Sequence, residues 1–433
     1  MTELSLDEVK KLAEKIEPAE INLAQRAATT NGLLNAARKD LSRQLPQTFS
    51  IEIETSPVQD QKRSGRCWLF ASLNQIRHQM EQTLDLENVE LSQTYPYFFS
   101  MLEKAAQVLE MAIEYCDEPL DSRWNRYIFY DFLNWGDADW LADAPKLFIK
   151  YGLCPREIMP DSLNAENSSA LNYILQRVLR KGGLRLRQIG AENPAEIQSE
   201  KAKILADVYR ILTIALGTPP RDFIWNYRTK KSKKFQRFVG TPREFQQKFA
   251  SDLDYVQLRN NPAFEFDKLY QLNGQGEMSG VPLVFPNVEM PQLKQLMLKQ
   301  LKSGRPVVID AHEFYQEFDG QPGQFATDLL DYSGLAGIDL SLSRADRSRT
   351  WERLTEHNMT IVGADEIDGK VRAWKLENSW GDDIGRKGYW AATDAWLDEN
   401  CFGAVIAREF LPDDILRILQ SEPIQLEPWQ NFA

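Results

Sequence analysis

Residues 61–68 read Gln61-Lys62-Arg63-Ser64-Gly65-Arg66-Cys67-Trp68 and place one cysteine at the predicted start of a helix. The apolar run that follows, up to Ile76, predicts a buried helix whose N-terminal N–H groups would favour a thiolate. Gly65 leaves room for a substrate backbone, and the amide of Gln61 could stabilise an oxyanion formed beside the sulfur. Taken alone, Cys67 could also be a buried structural cysteine. Its neighbours favour a nucleophile.

A nucleophilic cysteine needs a base, and the chain contains three histidines. His78 lies eleven residues after Cys67 on the same predicted helix, roughly 16 Å along its axis, which is too far to share a proton. We expect His78 to be a surface or helix-packing residue. His312 follows the predicted strand 306–310 and is a second candidate for the base, but no orienting residue accompanies it.

His357 is the stronger candidate because it precedes a predicted hairpin. Residues 359–364 and 371–377 predict two strands that are joined by a turn at Asp368-Gly369. The second strand ends in Asn378-Ser379-Trp380-Gly381, so the hairpin brings His357 and Asn378 to the same end. Asn378 would orient the imidazole, and Trp380 would shield their hydrogen bond from water.

These residues together resemble the signature of the papain-like cysteine peptidases. The chain is more narrowly similar to the bleomycin hydrolase and aminopeptidase C family, through residues 61–74 (QKRSGRCWLFASLN), 91–99 (LSQTYPYFF), 150–160 (KYGLCPREIMP) and 377–388 (ENSWGDDIGRKG). The resemblance implies an α+β fold with two papain-like lobes, a helical lobe that carries the cysteine and a β-barrel lobe that carries the histidine and asparagine. It implies Cys67, His357, Asn378 and Gln61 as catalytic residues, and Gly65, Trp68 and Trp380 as substrate-binding residues.

The spacing of the motifs supports the narrower resemblance. His357 and Asn378 lie 290 and 311 positions after Cys67, whereas about 130–150 residues separate them in papain-type enzymes. The family is known for such insertions, for an N-terminal hook and for a hexameric barrel that excludes large folded substrates. We expect five segments: an arm or hook at 1–50, a helical lobe with an insertion at 51–216, an inserted subdomain at 217–300, a β-rich lobe at 301–415 and a tail at 416–433 that returns to the cleft.

The C-terminal tail carries a further implication of the resemblance. In the family its terminal carboxylate pairs with the α-amino group of the substrate, and this role would fall to Ala433. The segment after Pro428-Trp429 is a few residues shorter than in the family, which would favour cleavage inside oligopeptides. Two other departures are Asn358, where a small residue is usual and which would alter the cleft wall, and residues 134–140, which replace a glycine-rich loop near the substrate subsites.

Net charge, cysteine content and the length of apolar runs indicate which partners and which compartment to expect. The net charge of −12 argues against general nucleic-acid binding, and the basic cluster Lys230–Arg237 is the one place where such binding would occur, unless it is an ordinary solvated hairpin. The four cysteines have no metal-binding spacing, and the three besides Cys67, namely Cys116, Cys154 and Cys401, are predicted to be buried thiols, which fits a reducing compartment. No N-terminal stretch resembles a signal peptide and no run approaches 18 apolar residues, so we expect a cytoplasmic protein.

The sequence therefore predicts a cytoplasmic cysteine aminopeptidase of the bleomycin hydrolase type, which hydrolyses peptides through an acyl-enzyme and needs no metal or organic cofactor. Two alternatives stay open. One is an oligopeptide endopeptidase, because of the shorter tail. The other is a non-catalytic oligomeric or nucleic-acid-binding protein on the same scaffold.

Overall fold

The computed structural model describes residues 3–16, 18–39, 45–86, 89–190, 193–274, 282–312, 318–320, 323–352, 357–430 and 432. The chain begins with three helices and a short strand: α1 (Leu6–Ala13), α2 (Pro18–Asn31), α3 (Leu33–Ala37) and β1 (Ile51–Glu52). Ser5 and Glu8 form a reciprocal capping box at the start of α1. No residue of α1 is buried, so local capping rather than burial supports this helix in the monomer.

The next part of the chain is helical, as predicted. It contains α4 (Cys67–Thr83), α5 (Thr94–Glu114), α6 (Arg123–Arg126), a π-helical stretch (Tyr127–Phe132), α7 (Asp143–Tyr151), α8 (Leu163–Glu166), α9 (Ser169–Ile189) and α10 (Pro194–Leu216). In α9, the buried residues Leu171, Leu175, Leu179 and Leu186 are spaced by four or seven positions. This spacing puts them on one face of the helix, which packs against the helical core.

The remainder of the chain contains most of the strands. Its elements are β2 (Phe223–Arg228), β3 (Phe235–Gly240), α11 (Pro242–Phe249), β4 (Tyr255–Arg259), β5 (Lys268–Leu272), β6 (Leu283–Asn287), α12 (Met290–Lys302), β7 (Val307–Ala311), β8 (Phe318–Asp319), β9 (Gln324–Phe325), α13 (Tyr332–Ala336), α14 (Arg344–Arg349), β10 (His357–Ile367), β11 (Lys370–Glu377), β12 (Tyr389–Thr393), α15 (Asp394–Asn400), β13 (Cys401–Ala407), a 3₁₀ turn (Arg408–Phe410), α16 (Asp413–Ile418) and β14 (Ile424–Leu426).

Twelve strands of the described residues form one large sheet. The order is β14-β5-β6-β4-β13-β7-β10-β11-β12-β9-β8, and β1 pairs with β10. The strands of residues 255–287 therefore belong to the same sheet as those of residues 307–407. Strands β2 and β3 form a separate hairpin.

The predicted hairpin is confirmed as β10 and β11, which pair in antiparallel register with Thr360 opposite Glu377. Asp368 and Gly369 at its turn have φ angles of 51° and 76°, the left-handed values that a two-residue turn of this type needs. Residues 357–365 of β10 are all buried, which fits a strand covered on both faces.

Helix α4 packs directly on this part of the sheet. Thr360 Oγ1 of β10 donates to Ala71 O at 3.2 Å, and Gln75 Nε2 donates to Pro306 O just before β7 at 2.9 Å. The cysteine helix and the strands that carry the histidine and asparagine thus meet along one junction. The α+β architecture is as predicted.

Candidate active site

Cys67 is the first residue of α4, as the sequence predicts. Arg66 before it makes no side-chain cap, so the positive end of the helix dipole lies beside the cysteine. Cys67 is only 7% exposed. Burial raises the pKa of its thiol to about 12, and backbone N–H groups of Asn358 and Trp68 that bond to the sulfur oppose this rise. The thiol therefore needs a partner in order to ionise.

Arg66 holds the loop in front of the cysteine, and the sequence reasoning missed it. Its side chain is fully buried, its Nη1 pairs with Asp161 Oδ1 at 2.7 Å, and its Nε donates to Ser64 Oγ at 3.0 Å. The guanidinium also lies over the rings of Phe70 and Tyr97. The sequence signal for this ion pair was the arginine next to a predicted buried helix, because a buried arginine requires a buried acid.

Gln61 connects the cysteine loop to the loop after β11. Its Nε2 donates to Ser64 O at 2.7 Å, its backbone N–H donates to Ser379 O at 2.8 Å, and its Oε1 accepts from Ser379 Oγ. An amide nitrogen carries two hydrogens, so one N–H of Gln61 remains for a further acceptor.

His357 and Asn378 meet at the same end of the hairpin. His357 Nε2 donates to Asn378 Oδ1 at 2.7 Å, and the Asn378 oxygen also accepts from Ser379 N at 2.7 Å. Trp380 stacks on the imidazole, with ring centroids 4.9 Å apart and planes at 22°. Burial lowers the pKa of His357 to about 4, and the hydrogen bond to Asn378 opposes this change.

Asn358, the residue after His357, brings β10 into contact with the nucleophile. Cys67 Sγ lies 3.6 Å from Asn358 Oδ1, within hydrogen-bond distance for sulfur. The structure thus brings together Gln61, Cys67 and the His357–Asn378 pair, although 290 positions separate the cysteine from the histidine.

The structure corrects part of the prediction for His78. This residue is not on the surface but fully buried, and its Nε2 lies 2.6 Å from Glu377 Oε2. Arg77 Nη2 lies 2.5 Å from the other oxygen of the same carboxylate. Glu377 directly precedes Asn378, so α4 holds the end of β11 through two cationic groups. A glutamate inside a buried strand was the sequence signal for such a pair.

His312 lies at the same end of the sheet. It is buried, its backbone N–H donates to Asn400 O at 2.9 Å, and it follows Ala311, which pairs with His357 across β7 and β10.

A second charged cluster lies on the other side of Cys67, and the sequence reasoning missed it. Asp310 on β7 accepts from Asn358 Nδ2 and from Gln257 Nε2, each at 3.3 Å, and pairs closely with Arg259 Nη1. Arg259 Nη2 donates to Phe432 O at 3.2 Å. These residues come from β4, β7, β10 and the chain terminus, so only the strand pairing brings them together.

Two residues predicted to bind substrate, Gly65 and Trp68, contact the 134–140 loop. Gly65 N donates to Asp137 Oδ2 at 2.7 Å, and a Cβ on Gly65 would lie 2.8 Å from Asp137 Oδ1, so the glycine makes room for this carboxylate. Trp68 is fully buried, and its Nε1 donates to Asp137 O at 3.0 Å. The Trp68 side chain thus supports the 134–140 loop. Lys104 Nζ holds the same loop at Gly136 O, 3.1 Å away.

The C-terminal segment runs to the cluster around Arg259. Phe432 is buried, and its ring packs on Phe264, Tyr270 and Phe285 at centroid distances of 5.0, 4.8 and 6.2 Å. Ala433, the predicted amine anchor, lies outside the described residues.

Other predicted features have a mixed outcome. Cys154 and Cys401 are buried, whereas Cys116 is partly exposed, which corrects its predicted burial. In the Lys230–Arg237 cluster, at the tip of the β2–β3 hairpin, Lys230 pairs with Glu54 at 2.8 Å. Within the described ranges, no group of three or more His, Cys, Asp or Glu residues could hold a metal ion. In the same ranges, each helix is too short or too polar to span a bilayer.

Comparison with known proteins gives the class of this chain. The model of the Peptidase C1-like family matches residues 3–433, and the chain belongs to this family. It is a cysteine peptidase, and the predicted papain-like α+β fold is confirmed.

The similar proteins cover almost the whole chain. Aminopeptidase G of Lactobacillus delbrueckii subsp. lactis is 36% identical over 437 residues, which span 100% of this chain and 99% of that protein. Aminopeptidase C of the same organism is 35% identical over 445 residues, which span 100% and 98%. PepW from Lactobacillus rhamnosis HN001 is 33% identical in sequence to this chain. Its crystal structure superposes with a TM-score of 0.92 and covers 99% of this chain and 98% of that chain.

Proposed function

We propose that the protein is a cysteine aminopeptidase that removes N-terminal residues from peptides, with Cys67 as nucleophile and His357 as base. One observation carries this proposal: the N-terminus of α4 meets β10 at the point where His357 is bonded to Asn378. His357 is bonded to the Asn378 amide, the orienting partner that an activated nucleophile requires.

The hydrogen bonds assign a role to each ring nitrogen. Nε2 of His357 donates to Asn378, which leaves Nδ1 as the nitrogen that accepts the thiol proton. Burial disfavours a lone thiolate and a lone imidazolium here, because it raises the pKa of Cys67 and lowers that of His357. The two charges stabilise each other when they form together, so the reactive form is a thiolate–imidazolium pair.

The reaction then follows from these positions. The sulfur attacks the peptide carbonyl carbon, and the developing oxyanion accepts from the Cys67 N–H and from the remaining N–H of Gln61. The imidazolium of His357 gives its proton to the leaving amine as the C–N bond breaks. Water attacks the thioester, His357 takes a proton from it, and the thiol is released with the carboxylic acid.

The restriction to N-termini is the finer part of the proposal. The names of the similar aminopeptidases support it. The position of Phe432 also supports it. The Phe432 carbonyl accepts from Arg259, and Arg259 pairs with Asp310. Asp310 in turn binds Asn358, which contacts Cys67, so the C-terminal segment ends close to the nucleophile. Ala433 follows Phe432 in the chain, and its carboxylate is the proposed anchor for the α-amino group of the substrate. From the resemblance to the bleomycin hydrolase and aminopeptidase C family, we also propose that the protein is cytoplasmic and forms a homohexamer. Light scattering on the purified protein tests the hexamer.

The test compares two substrates and two variants. We expect hydrolysis of aminoacyl coumarin amides with a free α-amino group and little hydrolysis of their acetylated forms. Cys67→Ala should abolish turnover without lowering thermal stability, whereas the control Cys116→Ala, at a partly exposed cysteine, should keep full activity. Turnover retained by Cys67→Ala would refute the proposal.

The two alternatives give different outcomes in the same assays. An endopeptidase would cleave acetylated oligopeptides at internal bonds as fast as free ones. A non-catalytic protein would show no stoichiometric labelling of Cys67 by iodoacetamide at mildly acidic pH, where an ordinary thiol is protonated.

A further inference from the structure

Asp137 bonds to the chain on both sides of the nucleophile. Its Oδ2 accepts from Gly65 N at 2.7 Å, and its backbone oxygen accepts from Trp68 Nε1 at 3.0 Å. Gly65 lies two positions before Cys67, and Trp68 is the residue directly after it. Asp137 is only 6% exposed, so water competes little for these bonds. One residue of the 134–140 loop thus ties down the backbone that carries the sulfur.

The helical core fixes Asp137 from the opposite side. Lys104 Nζ of α5 donates to Gly136 O at 3.1 Å and also to Ala138 O. The carbonyl groups of both neighbours of Asp137 are therefore held by one side chain. Asn172 Nδ2 of α9 donates to Asp137 Oδ1 at 3.2 Å, which fixes the carboxylate itself. Two long helices thus set the position of the group that bonds the cysteine loop.

The bonds of Asp137 can be separated from its charge. An asparagine at this position has an oxygen that can accept from Gly65 N and an NH₂ group that faces Asn172. Within the described part of the chain, Asn172 Oδ1 is buried and has no hydrogen-bond partner, so rotation of that amide supplies the acceptor. The negative charge of Asp137 disfavours the thiolate of Cys67, and the asparagine lacks this charge.

We propose that Asp137 is a positioning residue for the nucleophile: it connects α5 and α9 to the residues on both sides of Cys67 and so holds the sulfur at the junction with β10. This inference rests on the proposed function, since it takes Cys67 as the nucleophile. The reaction uses the bonds of Asp137, whereas its charge opposes the thiolate.

The other groups around Cys67 act in known directions. Asp310 on β7, when ionised, disfavours a thiolate as Asp137 does. The backbone N–H groups of Trp68 on α4 and Asn358 on β10 favour it, and His357 on β10 is the titrating base. Substitution of Asp137 leaves all of these in place.

Charged and titratable side chains also lie near Asp137, namely Lys104 and Tyr97 of α5, Arg66 before α4 and Asp139 of the same loop. Burial raises the pKa of Tyr97, so this phenol is neutral throughout the range of the experiment below. Lys104 binds backbone oxygens and Arg66 pairs with Asp161, so both cations keep their partners when the carboxylate is replaced.

The experiment measures kcat and KM for a free-amine coumarin amide, and the rate of Cys67 alkylation by iodoacetamide against pH, in the full-length enzyme. We expect Asp137→Ala to lower kcat by roughly tenfold to a hundredfold with little change in KM, because the sulfur is misplaced. Asp137→Asn should keep kcat within a factor of about three, because it can make both bonds. It should also move the acid limb of the alkylation profile lower by roughly 0.5–1 pH unit, because a negative charge is gone.

The matched control is Asp139→Asn, which removes the same charge from the same loop. Among the described residues, Asp139 accepts from Ser100 Oγ at 3.1 Å and lies 3.9 Å from Lys104 Nζ, so its partners are on α5 and not beside Cys67. This variant should leave kcat and the acid limb unchanged.

The outcomes separate this inference from the proposed function. If the wild type neither hydrolyses the amide nor is labelled at Cys67 at mildly acidic pH, both are overturned. If the wild type is active, only the positioning role is overturned by any of three results: full kcat in Asp137→Ala, an equal loss in Asp137→Asn, or an acid limb that Asp137→Asn moves no more than Asp139→Asn does. If Asp137→Ala does not fold, Asn172→Ala decides, since it removes the other bond of the carboxylate and should lower kcat by roughly twofold to tenfold. Full kcat in that variant would then overturn the positioning role.

Discussion

Two buried charged clusters flank the candidate active site, and they are built differently. Behind Asn378, the carboxylate of Glu377 is held by Arg77 and His78 of α4. Beside Cys67, the carboxylate of Asp310 is held by one cation, Arg259, and by neutral amides. The first cluster ties the helix to the hairpin, and the second ties the strands to the C-terminal segment. The first should therefore govern stability more strongly, and the second should govern the nucleophile.

The largest expected effect is that of Glu377→Gln. The change leaves the buried cation of Arg77 without its charged partner and leaves His78 with only Glu81, 3.7 Å away, and we expect a loss of about 4–5 kcal/mol in the free energy of unfolding. Urea denaturation measures it. The control Glu366→Gln breaks a partly exposed pair with Lys302 and should cost less than about 1 kcal/mol. Equal losses in the two variants would show that the buried cluster stabilises the fold no more than a partly exposed ion pair does.

The matching change in the second cluster is Arg259→Met. We expect a smaller loss of about 3 kcal/mol, because amide donors remain and the carboxyl group of Asp310 can take up a proton. Burial already raises the pKa of Asp310, and loss of Arg259 raises it further. The folded variant then binds the proton more readily, so its deficit should be smaller at about pH 5 than at about pH 8. A deficit that grows as the pH falls would contradict this.

His78 gives the first cluster its own pH dependence. Burial lowers the His78 pKa, but the charge and hydrogen bond of Glu377 outweigh it, and the net pKa lies above the ordinary 6.5. Its contribution to stability is complete below pH 6.5 and is lost as the pH rises through the folded-state value. The pKa of Glu377 is lowered, despite burial, by Arg77 and His78, so its contribution is complete above pH 4.5 and is lost at more acidic pH.

The corresponding test compares wild type with His78→Gln by urea denaturation across this range. The difference in unfolding free energy should be largest between about pH 5 and pH 6.5 and should shrink by about pH 9. A difference that increases toward alkaline pH would mean that His78 is not held as a cation by Glu377.

The smallest expected effect concerns Trp380, whose ring stacks on His357 beside its bond to Asn378. Trp380→Phe keeps an aromatic ring but reduces the stacking surface on His357, and we expect kcat/KM to fall by roughly twofold to tenfold. Trp351→Phe, at a half-exposed tryptophan, is the control and should leave kcat/KM unchanged. Initial rates with a free-amine coumarin amide measure both.

The sequence motifs predicted most of the fold and placed much of the candidate site on particular helices and strands. Cys67 at the start of a helix, and His357 and Asn378 on one hairpin, follow from local patterns that the chain shows within a few residues. The bounds were less accurate: the predicted strand 359–364 is His357–Ile367, because backbone pairing with β7 and β11, rather than hydrophobicity alone, decides where the strand ends.

What the sequence did not reveal depends on strand register. Asn358 meets Asp310 because β10 pairs with β7, and Arg259 joins them because β13 lies between β4 and β7. No local pattern predicts that order of strands. The contacts of Trp68 and Gly65 with Asp137 were not predicted for a similar reason, since Asp137 lies beside both residues only once the 134–140 loop has folded over them.

The central place of β13 has a consequence for the order in which a new chain becomes reactive. Residues 401–407 fill the gap between β4 and β7, so the strands of residues 255–287 join those that carry His357 only after β13 has been synthesised. During synthesis the sulfur is present long before its base is in place. A nascent chain therefore carries Cys67 without its proposed base until β10 and β11 have been synthesised and have paired with β7.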